Sequence, residues 1–211
     1  MKIMDSIKFE VHWYRRVFHT FGSSFLVYYI IPDTGWSGIL KRLIPTLIIL
    51  FVSILEYLRI TGKISSNYFF GLRVYEEKRV GSYLFFGVAV FILLLFFPQQ
   101  IAVPCILCAC FTDPIMGETR QRYGGKNACI AGFFVSMFFF IATWYRADIW
   151  IRLLVSIVGG TSAVIGEAKK NRWIDDDFMV QILPAVFILI LWRMIGLTGL
   201  EMLPSPMIHP I

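Results

Sequence analysis

Long apolar runs alternate with short, densely charged connectors along this chain, and that alternation constrains its fold more than any other feature. The run "FFGVAVFILLLFF", Phe85 to Phe97, begins four residues after "RVYEEKRVG", Arg73 to Gly81. Repeated runs of this kind belong in a bilayer, where a helix of about 20 apolar residues crosses the hydrocarbon core. The balance of residues agrees. Of 211 residues, 57% are hydrophobic and only 16% charged, against about 25% charged in soluble domains. The expected fold class is all-α, a polytopic membrane protein forming a single domain over residues 1–211.

Seven spans are predicted: Val17–Ile31, Leu43–Leu58, Gly81–Phe97, Ile101–Phe111, Ala128–Tyr145, Trp150–Gly166 and Phe178–Leu200. The fourth is short for a full crossing and is expected to be tilted, broken or extended into the connector after it. Basic residues orient the set. Lys2, Lys8, Arg15 and Arg16 precede the first span, and Arg59, Lys63, Arg73, Lys78 and Arg79 lie near or between the second and third. Arg120, Arg122 and Lys126 join the fourth to the fifth, and Lys169, Lys170 and Arg172 the sixth to the seventh. These alternate connections hold fifteen of the twenty basic residues, which places the N-terminus in the cytoplasm and the C-terminus outside. The opening "MKIMDSIKFEVHWYRR" has no early apolar core with a small-residue cleavage site, so no removable signal peptide is expected. The net charge of +6 is read as cationic loops that set topology and meet head groups or phosphates, with no nucleic-acid partner.

Orientation needs only the positive charges, yet most carboxylates gather on the same side. Glu56, Glu76, Glu77, Asp113, Glu118, Glu167, Asp175, Asp176 and Asp177 all fall there. The segment "FTDPIMGETRQRYGGKNA", Phe111 to Ala128, combines parts used in phosphate chemistry. A carboxylate such as Asp113 can hold Mg²⁺, Arg120 and Arg122 can fork onto phosphate oxygens beside Lys126, and Gly124 and Gly125 let backbone N–H groups approach a ligand. The plain alternative is an interhelical loop with a glycine turn and solvated charges; the spacing is not that of a P-loop.

A second segment, "GEAKKNRWIDDDFMVQILP", runs from Gly166 to Pro184. Clustered carboxylates repel one another unless a cation or nearby Lys and Arg compensates. One Asp would serve as a helix N-cap and complement the helix dipole; three in succession point to a cation or a nucleotide. The third segment, "FGLRVYEEKRVGSYLFF" from Phe70 to Phe86, is largely explained by interfacial anchoring and local ion pairing, with phosphate binding through Lys78 and Arg79 as the alternative. Glu56 with Arg59 reads as an interfacial pair or as support for a site. His19, beside Arg15 and Arg16, reads as an interfacial polar residue or as one that faces the site. Cys105, Cys108 and Cys110 have a CxxCxC spacing without a His or acidic partner at that depth, and are read as packing residues. A charge buried towards the membrane interior costs about 2.5–3.5 kcal/mol even on lenient scales, so the charges at these span ends are expected to face one polar cavity.

Taken together the three segments resemble the CTP-dependent lipid-alcohol kinases, the family of dolichol kinase, phytol kinase and yeast-type diacylglycerol kinase. The similarity extends weakly over most of the chain and is strongest from Arg73 to Pro184. The family's Asp-Pro motif, followed by a Gly-Arg-x-x-Gly-Lys-like stretch, is similar to Asp113-Pro114 with Arg120, Arg122, Gly124 and Lys126. Its Glu at the end of an apolar helix, then Asp-Asp-Asn leading to Pro, resembles Glu167 and "DDDFMVQILP". Its basic N-terminal segment followed by His matches Arg15, Arg16 and His19. The chain departs from the pattern where Arg120 replaces the first glycine of the Gly-Arg stretch, Met116 a small residue, and Asp177 the usual Asn.

The resemblance implies transfer of the γ-phosphoryl group of CTP to the hydroxyl of a membrane lipid alcohol, polyprenol-, phytol- or diacylglycerol-like, with Mg²⁺ as cofactor. It implies Asp113 and Asp176 as catalytic carboxylates and a metal set drawn from Asp113, Glu118, Glu167, Asp175 and Asp176. It also implies that Arg120, Arg122, Gly124, Gly125, Lys126, Lys78, Arg79 and Lys169 bind the nucleotide. A water-soluble donor and a lipid acceptor meet at the cytoplasmic interface. The chain is far shorter than the eukaryotic dolichol kinases, which suggests a prokaryotic cell-membrane version. Two rivals stay open. A CTP:lipid-phosphate cytidylyltransferase has a similar Asp-to-Gly-Lys stretch, but its Ser-Pro-Lys-Lys-Thr-x-Glu-Gly-like signature is not seen here. A transporter buries ionisable groups near the midplane, often in repeated halves, whereas these midspans are nearly charge-free and without a convincing repeat.

Overall fold

A helix that is apolar on every side is stable only where its surroundings are apolar too, and Gly35–Ile60, helix α2, is such a helix. Trp36, Ile39, Leu43, Leu47, Phe51 and Ile54 all stand exposed on it, and only 11% of its most apolar window is buried inside the protein. Its charges sit at the two ends, Lys41 and Arg42 near one and Glu56 and Arg59 near the other. Among the described residues four helical stretches are long and apolar enough to cross a membrane: α2, Gln99–Thr143, Ile149–Ala168 and Asp176–Gly196. They fit an integral membrane protein.

The computed structural model describes residues 17–69, 72, 76–77, 79–168 and 174–211. All regular structure among the described residues is helical. Residues 17–21 form a helical turn, α1, and continue into a 3₁₀ helix, Gly22–Ile30. After α2 come α3 (Ser82–Phe96), α4 (Gln99–Leu107), a π-helical segment (Cys108–Thr112), α5 (Asp113–Thr143), α6 (Ile149–Ala168) and α7 (Asp176–Gly196). Helix α3 is apolar but, at 15 residues, shorter than the other four candidates.

The expected fourth and fifth spans lie inside the single stretch Gln99–Thr143, and the connector expected between them is helical. Residues 24 apart in a straight helix would be separated by about 36 Å, yet the hydroxyls of Thr112 and Ser136 lie 3.0 Å apart. Met116 packs on Gly132, and the Trp144 indole N–H donates to the carbonyl of Gln100 at 2.8 Å. The chain therefore reverses, and it does so at Gly124, whose φ of 83° and ψ of 170° break α5 into two arms. Such a φ suits glycine because no Cβ meets the backbone. The polar sequence before it stays helical through pairs such as Glu118 with Arg122, one turn apart, a spacing that brings side chains together on a helix surface.

Small residues set the close packing of the remaining helices. A Cβ on Gly159 would fall 2.4 Å from the Phe140 ring, and one on Gly166 only 2.6 Å from the carbonyl oxygen of Met179. Helices that bear such residues approach backbone to backbone, the usual device in membranes. α5, α6 and α7 pack in sequence, so the C-terminus of α6, the N-terminus of α7 and the N-terminus of α3 reach one end of the bundle. At the other end the residues after α7 form an extended strap. Gln99 accepts from the N–H groups of Met207 and Ile208 and donates to the Ile208 carbonyl, Gln100 donates to Pro204, Arg146 to Pro206, and the Ile211 N–H to Ile30.

Candidate functional site

Pro114 has no N–H, and its ring collides with the carbonyl four residues back in a regular α-helix. That carbonyl is Cys110, at the centre of the π-helical turn Cys108–Thr112, and the widened turn accommodates the proline. Asp113 follows immediately. Seven residues on, two helical turns away and therefore on the same face, is Arg120. These two side chains point from the first arm of α5 towards the ends of α6 and α7.

On α6 the buried positions Ser156, Gly160, Ala163 and Glu167 are spaced four, three and four residues apart, which makes Glu167 the last residue of the inward stripe. Its side chain is 2% exposed, and Oε1 accepts from the Arg120 guanidinium at 3.1 Å. Oε2 is buried with no N–H or hydroxyl donor among the described residues, and the Asp113 carboxyl lies within hydrogen-bond reach of the group. The carboxylates of Asp113 and Asp176 both act on this group electrostatically.

The aspartate triplet begins α7 and divides by helix geometry. Asp175 is the N-cap and its Oδ1 accepts from the Asp177 N–H at 3.1 Å. Asp176 is half-buried. Asp177 is buried, in register with Val180, Gln181, Pro184, Ala185 and Ile188. From α1, His19 completes the cluster: its Nε2 is 3.8 Å from Asp113 Oδ2 and 3.7 Å from Asp177 Oδ1. Two contacts seat the imidazole. It meets the Phe86 ring edge-on at 5.4 Å between centroids. Three residues later Gly22 admits Phe86 so closely that a Cβ there would be 2.6 Å from the ring.

His19, Asp113 and Asp177 thus present one ligand atom each, all within 4.8 Å of one another, and Asp175, Asp176 and Asp177 form a second such group. In an octahedral site with bonds of about 2.1 Å, neighbouring ligand atoms are about 3 Å apart and opposite ones about 4.2 Å. A divalent cation would need only a sub-ångström contraction of these side chains. The donor set fits one: among the described residues, Asp113, Asp176, Asp177 and Glu167 concentrate carboxylates beside Arg120, and one buried oxygen of Glu167 has no N–H or hydroxyl donor. Such groups repel one another at low dielectric unless a cation stands between them.

The other residues singled out from the sequence are placed less centrally. Glu118 and Arg122 pair on the exposed arm of α5, and Gly125 and Lys126 are exposed at the turn, where a Cβ on Gly124 or Gly125 would touch nothing. Arg79 is exposed just before α3, its carbonyl held by Arg59. Lys78, Lys169, Arg15 and Arg16 lie outside the described residues. His19 faces the cluster and is more than an interfacial residue, and Asp177 rather than Asp175 points inward. Periodicity would have revealed Asp177, since it heads the stripe that α7 buries. No family model, no curated protein and no solved structure matches this chain.

Proposed function

We propose that the chain is an integral-membrane kinase that transfers the γ-phosphoryl group of CTP to the hydroxyl of a lipid alcohol, polyprenol-, phytol- or diacylglycerol-like, at the cytoplasmic face. One observation carries the reading: ligand atoms of His19, Asp113 and Asp177, from three separate helices, lie within 4.8 Å of one another. Phosphoryl transfer asks mainly for in-line positioning and neutralised charge. Mg²⁺ bound by Asp113 and Asp177, with Asp176 and Glu167 adjoining, would supply that neutralisation. Among the described residues Arg120 is the cation paired with the cluster, and an incoming phosphate would compete with Glu167 for its planar fork. Arg122 and Lys126 on the exposed arm, with Arg79, Lys78 and Lys169, would take the remaining phosphate oxygens. Asp176, half-buried beside Glu167, is the candidate to accept the proton of the lipid hydroxyl.

The reading includes seven crossings with the N-terminus in the cytoplasm. It takes α1 and the 3₁₀ helix as the first crossing, which is supported by His19 at the acidic end and the Ile30 carbonyl under the strap at the other. A 3₁₀ helix rises about 2.0 Å per residue, so a short segment reaches further than an α-helix would. The test is purified protein in lipid with Mg²⁺, CTP or ATP, and a panel of lipid alcohols. Release of CDP with formation of lipid phosphate is expected. Pyrophosphate release would mean cytidylyl transfer instead, and no nucleotide turnover with any lipid would defeat the kinase.

A further inference from the structure

At the acidic end of α2, Glu56 and Arg59 lie one turn apart and both face inward, 1% and 2% exposed. Arg59 has five N–H donors and every one has a partner. Nε donates to Glu56 Oε2 at 2.8 Å, and Nη2 to Glu56 Oε1 at 2.7 Å and to the Arg79 carbonyl at 2.5 Å. Nη1 reaches the carbonyls of Glu76 and Glu77 at 3.0 and 3.1 Å. Glu56 is equally committed. Its Oε1 also accepts from the Gly81 N–H at 2.6 Å, and its Oε2 from the Tyr83 hydroxyl.

A buried ion pair of this kind adds little net stability over an apolar pair of the same volume, because desolvation offsets the attraction. What it does specify is geometry: three carbonyls and one N–H of an irregular turn are held from a single helix. That turn leads straight into the first turn of α3, and the first turn of α3 touches the acidic cluster on two sides. Phe86 packs edge-on against His19, and Phe85 meets Phe178, the residue after Asp177, with centroids 6.4 Å apart.

We propose that Glu56 and Arg59 are positioning residues for the candidate site, fixing the 76–81 turn so that Arg79 and the start of α3 stand in register with His19 and Asp177. The inference rests on the nucleotide-dependent reading above and adds to it a specific route by which α2, otherwise turned to lipid, governs phosphate binding. Arg59 acts through the backbone of Arg79, so the two side chains are coupled in function without touching the same ligand atom. A lysine cannot stand in for Arg59, since a point charge with three donors cannot reproduce the five bonds that the planar fork makes to Glu56 and three carbonyls.

The test uses the full-length protein in nanodiscs and measures Mg²⁺-CTP binding and steady-state kinetics for wild type, Arg59→Lys, Arg79→Ala and the double variant. Arg59→Lys is expected to raise the nucleotide Kd and KM about tenfold, with kcat and the lipid KM within about twofold; contacting residues typically show such coupling. In the Arg79→Ala background the same change is expected to add less than about twofold. Tyr83→Phe, which removes one bond to Glu56 and leaves Arg59 in place, gives the same pattern at smaller amplitude and serves if Arg59→Lys does not fold. Independent, multiplying effects of Arg59→Lys and Arg79→Ala would overturn the positioning role, as would unchanged nucleotide affinity in both Arg59→Lys and Tyr83→Phe. Wild-type protein that binds neither CTP nor ATP would overturn the nucleotide-dependent reading itself, an outcome visible before any variant is compared.

Discussion

Asp175, Asp176 and Asp177 carry the same side chain one residue apart, and the start of α7 gives each a different environment. Asp175 caps the helix, Asp176 stands half-buried beside Glu167, and Asp177 turns inward to His19 and Asp113. The expected result of Asp177→Asn is therefore a fall in turnover of more than about 100-fold, as for loss of a group that stabilises transition-state charge. Asp175→Asn should leave turnover within about twofold, because Asn caps as well as Asp, while Asp175→Ala should cost about 1 kcal/mol of stability. Turnover assays and thermal unfolding of the three variants check this ordering. The sequence made the cluster visible, since three adjacent carboxylates exceed what a cap requires. It left the choice among them to helix phase, which is readable only once the buried stripe from Val180 to Ile188 is known.

At the scale of elements, two glycines side by side illustrate what spacing alone conceals. Both Gly124 and Gly125 fit a loop that cradles phosphate, but Gly124 has a φ of 83° and is where the α5 arms reverse. Gly124→Ala should cost about 1–3 kcal/mol, because its φ of 83° with ψ of 170° is a backbone region open essentially to glycine alone, whereas Gly125→Ala, in open space, should stay within about 0.5 kcal/mol; chemical denaturation in detergent separates them. Gly166 is the converse case, a glycine required by a neighbour. Gly166→Val would push the α7 backbone away from α6 and so part Glu167 from Asp177, with an expected overpacking cost of about 1–3 kcal/mol and loss of Mg²⁺-dependent turnover in the fraction that folds. Extension of the fourth span into the connector is one of three alternatives in the sequence reading, because Asp113 to Lys126 carries as many charges as a loop would. The hairpin's helicity comes from one-turn pairs such as Glu118 with Arg122 and from packing of Met116 on Gly132, and the second of these is a long-range contact.

For the whole molecule, apolar runs and confined charge were enough to identify a helical membrane protein, because lipid leaves few alternatives. They were not enough to place the residues after α7, whose strap depends on two glutamines more than a hundred positions earlier. The two ends of the bundle can be assigned to sides of the membrane by labelling. With Cys129 replaced by Ala and the other three cysteines buried, Lys126→Cys and Ser205→Cys are expected to react with an impermeant maleimide from opposite faces of sealed vesicles. Labelling of both from one face would reverse the proposed arrangement of crossings. The strap also bears on what kind of traffic the protein can support. A solute carrier must open to each compartment in turn, and here the end opposite the carboxylates is crossed by the residues after α7, tied to Gln99, Gln100, Arg146 and Ile30. Alternating exposure through that end would have to rearrange these contacts, whereas chemistry confined to the other side leaves them in place.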